Sequence, residues 1–288
     1  EIYTLSLHDA LPIYPVVKYP ANRNAFVLET FVRFGAPEQI LYENKPHIGT
    51  DILCKVIANM RNYLLEKGAQ VYFETCAKEF VIENHQIKQV ICENGKAFDV
   101  SAVVLALGHS ARDTFKTLFD LKVPMESKNF AVGFRVEHPQ QMINDVLYGM
   151  QEQNMPASPY KVTSNFPNGR GVYSFCMCPG GYVVNSSSEE NMLVVNGMSY
   201  SGRNSTTANS AIIISVDQKD FMNPFFYGNG AEFLLQDDDA LCGMRFQQAL
   251  ETKAYQLAKG KIPQQLYGDF CENKCSKSYI SITQFRKS

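Results

Sequence analysis

Between residues 129 and 216 the hydrophobic pattern changes period, and no other feature constrains the fold as strongly. Segments 129–137, 160–166, 171–177, 181–187, 191–198 and 210–216 alternate or run apolar with β-rich composition, and Gly, Pro, Asn and Ser separate them. Alternation sends successive side chains to opposite faces, so each segment can bury one face and leave the other wet. A mainly antiparallel sheet is predicted here, with loops at 138–158 and 199–209.

The flanking regions have a different texture. Phe26, Phe31, Val32 and Phe34 fall near helical spacing until Gly35 and Pro37 stop the element. A second helix follows the loop Lys45-Pro46-His47-Ile48-Gly49, with Thr50 or Asp51 as its cap and Gly68 just past its end. Its predicted buried face is Ile52, Leu53, Val56, Ile57, Met60 and Leu64. Strand signals then occupy 70–74, 79–83, 88–92 and 97–100, with Asn94-Gly95 as a hairpin turn. The uninterrupted run Ala102–Leu107 reads as a strand buried on both faces, followed at once by a helix. Residues 222–239 read as a surface excursion, and a further helix is predicted over 240–258, with Leu241, Met244, Phe246, Ala249, Leu250, Ala254 and Leu257 on one face.

Composition excludes several classes. With 288 residues, 45% of them apolar, the chain can fill the core of one large or two ordinary domains. Lys+Arg 27 against Asp+Glu 29 leaves a net charge of −2, which excludes nucleic-acid binding by bulk positive charge. No apolar run approaches the roughly 18 residues needed to span a bilayer. Eight cysteines are too sparse for a disulfide scaffold and read as thiols of a cytoplasmic protein. The first residues, Glu1–Ile13, lack the basic start of a secretory signal. Their codons match a sequencing-library adapter, so residues 1–13 are set aside as an artefact and the chain is expected to be a fragment.

Four constellations could carry chemistry. The apolar run ends at Gly108, and His109, Ser110 and Arg112 open the next helix. Free backbone N–H groups and the positive end of a helix suit a phosphate there, and Ser110 with Asp113 makes a capping-box pattern. His47, Gly49, Thr50 and Asp51 precede a helix in the same manner, and His47 titrates near neutrality. Cys176 and Cys178 share one side of a strand; they could join Cys271 and Cys275 around zinc, act as a redox pair, or simply be small core side chains. Asn196-Gly197-Met198-Ser199-Tyr200, with Arg203 and Asn209, could line a pocket or only form a turn. Asp237, Asp238 and Asp239 read as a solvated surface.

The segments Phe34-Gly35-Ala36-Pro37-Glu38, Pro46-His47-Ile48-Gly49-Thr50-Asp51, Gly108 through Phe115, Arg170 through Gly181, and Asn196 through Tyr200 together resemble a bacterial family of NAD(P)/FAD-dependent oxidoreductases, from about Tyr19 to about Phe270. The resemblance implies an α/β fold: an incomplete Rossmann-like FAD/NAD(P)-binding domain interrupted by a β-rich (α+β) substrate domain. Residues 14–125 would be the partial FAD-binding domain, 126–235 the β-rich insertion, and 236–288 a helix and return segment. It also implies FAD as cofactor, with NADH or NADPH as electron donor and an unidentified small-molecule substrate. Ala77 would approach the adenine, Ala106, Leu107 and Gly108 the FAD by backbone, and His109, Ser110 and Arg112 would serve the FAD side. Leu107 stands where many flavoproteins have threonine, which removes a side-chain hydroxyl contact. His47, Cys176 and Cys178 are candidates for the substrate face. The family's G-x-G-x-x-G is expected before Tyr14 and a glycine-rich segment beyond Ser288, so weak FAD binding is expected of this chain. The alternative is a flavin-free binding or RNA-modification-associated module on the same scaffold.

Overall fold

The computed structural model describes residues 21–149, 155–227 and 239–277. The segment Glu1–Ile13 and residues 228–238 of the expected excursion lie outside them. The chain opens with α1 (Ala21–Arg33), a 3-10 turn (Glu38–Leu41) and α2 (Thr50–Glu66). Ala36, Ile40 and Val56 form the centre of this unit, with Phe31, Val32, Ile52 and Met60 packed around them. The buried stripe of α2 is narrower than the sequence suggests. Ile52, Val56 and Met60, four residues apart, face the core, whereas Leu53, Ile57 and Leu64 are exposed. A helix buries only the arc that a neighbour covers, and α1 and the 3-10 turn cover one side. Gly68, at φ +89°, closes α2 as predicted, and the Ala69 N–H donates back to the Leu64 carbonyl at 3.0 Å.

Strands β1 (Ala77–Glu83), β2 (Gln86–Cys92) and β3 (Ala97–Asp99) then form an antiparallel meander in that order. Asn84 and His85, both with positive φ, make the two-residue turn between β1 and β2. Asn94-Gly95 turns β2 into β3 as predicted.

Two expected strands are absent. Residues 70–74 and 102–107 join no ladder, and their apolar side chains meet solvent: Phe73 is 68% exposed and Val104 91%. A strand buried on both faces needs neighbours on every side, and among the described residues no strand pairs with either segment. Helix α3 (Arg112–Asp120) follows as expected, but the predicted capping box does not form. The N-cap is Ala111, with no side-chain bond, while Ser110 lies against the His109 ring and Asp113 turns toward Cys76.

All six strands predicted after residue 128 are present. β4 (Phe130–Pro139), β5 (Thr163–Asn165), β6 (Gly171–Cys178) and β9 (Thr207–Val216) form an antiparallel sheet in the order β4-β9-β6-β5, and β7 (Gly181–Asn185) pairs with β8 (Val195–Ser199) as a ribbon. The predicted loop 138–158 instead contains α4 (Gln140–Tyr148). Its Met142, Val146 and Leu147 are exposed, so no apolar stripe announces it. Gln140 anchors it: its side chain donates to the Ser158 carbonyl at 3.0 Å and accepts from the Gly180 N–H at 2.8 Å.

One face of the four-stranded sheet packs Phe130, Val132 and Val216 against α5 (Gln218–Phe221), a 3-10 turn (Pro224–Phe226) and α6 (Cys242–Ala258). Phe221 and Phe246 are the largest side chains fully buried there. The predicted excursion therefore begins inside the core: Phe221 and Tyr227 are buried, and the Tyr227 hydroxyl donates to the Phe221 carbonyl at 2.6 Å. Capping of α5 by Asp217 turns the chain inward at this point. On α6 the predicted face holds at Leu241, Phe246 and Ala249, while Leu257 is exposed. A short α7 (Tyr267–Cys271) sets Phe270 against Phe134 of the edge strand β4. Among the described residues no helix is long and apolar enough to cross a membrane.

Candidate functional site

The segment expected to face a cofactor runs beside the start of β1. The Cys76 thiol reaches the Asp113 carboxylate at 4.0 Å, so the residue before Ala77 meets the first turn of α3. Gly108 adopts φ +68°, and a side chain built there would meet nothing within 4 Å. Ala106 and His109 are exposed, Leu107 and Ser110 are half-buried, and no side chain caps α3. An open glycine before an uncapped helix start is the kind of surface that accepts a phosphate.

Arg112 is placed otherwise than expected. It is only 6% exposed, and its guanidinium bonds Glu251 at 2.7 Å, Glu189, and Gln247 at 3.4 Å. Burial works against its charge, yet the two carboxylates outweigh it and raise its pKa above the ordinary value. These bonds tie α3 to α6 and to the loop after β7, and they leave Arg112 a structural tie between elements. Two carboxylates thus already face the charge expected to serve the FAD side.

The second cluster lies at the end of β6. Phe175 pairs with Ala211 and Cys178 with Asn209, so three steps on β6 oppose two on β9 and one residue is extra. Cys176 sits in this bulge at φ +45°, a conformation that costs a non-glycine residue strain. Arg135 of β4 donates from Nη1 to the Cys176 carbonyl at 3.1 Å and to Asn209 Oδ1 at 2.6 Å, and from Nη2 to Asn196 Oδ1 at 3.0 Å. Gly197 makes room for it, since a Cβ there would fall 2.2 Å from Nη1. The Cys178 thiol donates to the Cys176 carbonyl oxygen at 3.4 Å, and Cys178 beside the Cys176 thiol, together with Arg135, pulls its pKa down to about 6 against the opposing effect of burial. The Cys178 thiol is pushed up, first by holding its proton toward Cys176 and then by burial. Asn209 is fully buried, and its Nδ2 has no partner.

His47 docks on the loop after β8. Its Nε2 lies 3.3 Å from the Tyr200 carbonyl oxygen and 3.5 Å from Ser199 Oγ. Burial, then the charge of Arg203, lowers its pKa, so it is neutral at pH 7. Thr50 and Asp51 do not cap α2; Gly49 takes the N-cap position. Thr50 donates to the Ser199 carbonyl, and Asp51 accepts from the Ser201 N–H at 2.8 Å and hydroxyl at 2.7 Å.

The structure thus divides the polar strand end seen in the sequence. Asn196 and Asn209 converge on Arg135 and the thiols, while Ser199, Tyr200 and Arg203 surround His47. Arg135 is the residue that sequence reasoning missed. Its only signal is a charge in the middle of an otherwise apolar alternating strand. Cys271 and Cys275 are free and exposed, and among the described residues no three His, Cys, Asp or Glu side chains gather where a metal could sit. Asp239 pairs with Arg245 at 3.0 Å; Asp237 and Asp238 lie outside the described residues.

Residues 129–287 match the family model described as FAD-dependent protein, C-terminal domain-like. The chain is also 40% identical over 278 residues to an uncharacterized protein of Clostridium beijerinckii, with 92% of this chain and 49% of that protein covered. It therefore spans about half the length of the curated relative it matches. Arg135, the two thiols, Asn196 and Asn209 all fall within the matched region. The chain belongs to this family of FAD-dependent proteins.

Proposed function

We propose that the whole protein is an FAD-dependent oxidoreductase that moves a hydride between a small-molecule substrate, or NAD(P)H, and the flavin. The family match over residues 129–287 carries this reading. When bound, FAD supplies the hydride chemistry, and the protein positions it. The residues present fit such a group at one place: Gly108 is open to close approach, and α3 begins without a side-chain cap. Ala77, Ala106, Leu107 and Gly108 would hold the cofactor by backbone, with His109 and Ser110 adding polar side chains. His47, with its pKa lowered and set against Ser199, can accept a proton, and Cys178 and Arg135 favour the thiolate of Cys176. These two, with Cys178, are the candidates for the substrate face. Residues 14–125 and 236–288 would belong to a Rossmann-like FAD-binding domain, and 126–235 to the substrate domain. In that arrangement segments 70–74 and 102–107 pair with strands of the whole protein, which accounts for their exposed apolar side chains here.

The test is the visible absorption of the protein expressed at the full length of its relative. A co-purifying flavin band that bleaches on adding NADH or NADPH is the expected result. Absence of that band, after incubation with FAD as well, would overturn the reading.

A further inference from the structure

We propose that Cys176 and Cys178 are a redox-active C-x-C pair, in which Cys176 attacks a low-molecular-weight disulfide and Cys178 resolves the product. This exchange needs no flavin, so it stands apart from the oxidoreductase reading. Four observations support it. Cys176 is exposed while Cys178 is 6% exposed, the division expected between an attacking and a resolving thiol. The strand is bulged at this point and Cys176 is held at positive φ, so the chain accepts strain where a regular strand would have none. Arg135 contacts three neutral oxygens, and among the described residues no carboxylate pairs with it. The same guanidinium favours ionisation of the Cys176 thiol and of Tyr160. Asn209, whose Oδ1 accepts from Arg135, keeps a buried N–H donor without a partner beside this cluster.

The step balances. The Cys176 thiolate attacks one sulfur of the disulfide; that S–S bond breaks, and the departing thiolate takes a proton from water. Cys178 then gives up its proton and attacks the Cys176 sulfur, which expels the second thiolate. The external disulfide is reduced to two thiols, and the protein dithiol is oxidised to one Cys176–Cys178 disulfide.

The experiment exposes the chain to oxidised glutathione, quenches with acid, alkylates the remaining thiols and assigns each cysteine by peptide mass spectrometry. An internal Cys176–Cys178 disulfide is expected to form before Cys54, Cys76, Cys271 or Cys275 react, although all four are exposed. Cys178→Ser should stop the reaction at a glutathione adduct on Cys176. In the unaltered chain, alkylation of Cys176 should titrate with a midpoint near 6, against about 8.5 for an ordinary thiol. Arg135→Gln should slow the reaction of Cys176 at pH 7 about tenfold. The proposal is overturned if Cys176 reacts no faster than Cys54, or if the Cys178→Ser chain carries no adduct at Cys176. The order of oxidation in the unaltered chain requires no substitution, so it decides the matter even if a variant fails to fold.

Discussion

Replacing Arg112 with alanine would leave Glu189 and Glu251 to face each other with no cation between them. Breaking a buried pair in this way costs about 3–5 kcal/mol, and the urea midpoint should fall accordingly. Glu251→Gln should cost less, because it removes one charge and keeps a hydrogen-bond acceptor. A loss below about 1 kcal/mol for Arg112→Ala would show that water substitutes for the guanidinium. His47 gives a pH dependence whose sign follows from burial. Its folded pKa is lowered by desolvation and Arg203, against the smaller opposing effects of the Tyr200 carbonyl, then Glu43 and Asp51. The unfolded chain therefore takes up a proton first as pH falls, so stability is full above about 6.5 and declines below it. His138, lowered by burial beside Tyr160, adds to the same decline. Urea midpoints measured from pH 8 to pH 5 should fall, and His47→Gln should flatten part of that slope. Individual roles were only half legible at this scale. Cys176, Cys178, His47, Asn196 and Asn209 stand out by residue type, but Arg112 looked free because the sequence does not show that Glu189 and Glu251 reach it. Arg135 was overlooked because a charge on an alternating strand reads as its wet face.

Among elements, the strands of the β-rich region were the easiest to read, since their signal is the two-residue period within each segment. α4 was hidden because a glutamine side chain holds it in place of an apolar stripe. The run 102–107 joins no ladder for the opposite reason: apolar composition reports that burial is wanted, not that a covering element is present. The junction between α2 and the loop after β8 depends on one backbone position. Gly49 adopts φ +87°, and a Cβ there would fall 2.2 Å from the Ser201 nitrogen. Gly49→Ala should cost about 2 kcal/mol, from backbone strain and from the separation of Asp51 and His47 from their partners. Faster proteolysis near residues 199–206 should accompany that loss, and an unchanged melting temperature would count against it. Asp51→Asn should be milder, because the Ser201 N–H and hydroxyl can still donate to the amide oxygen.

At the scale of the whole molecule, the two segments expected to be strands, 70–74 and 102–107, expose apolar side chains. Val71, Tyr72, Phe73, Val104 and Leu105 all meet solvent. Such a surface favours self-association, so light scattering should show this chain to associate. Phe73→Lys with Val104→Lys should reduce the scattering without lowering the urea midpoint. Retention of both scattering and midpoint in that double variant would place the sticky surface elsewhere. The docking of Asp51 on Ser201 also has a consequence in time. The partners are 150 residues apart in sequence, and Arg112 lies 139 residues before Glu251. At about 5–20 residues per second on the ribosome, α2 emerges roughly 8–30 s before the loop that fastens it exists. During that interval the N-terminal helices depend on the small core around Ile40 and Val56 alone, which makes nascent chains of intermediate length the species most in need of a chaperone.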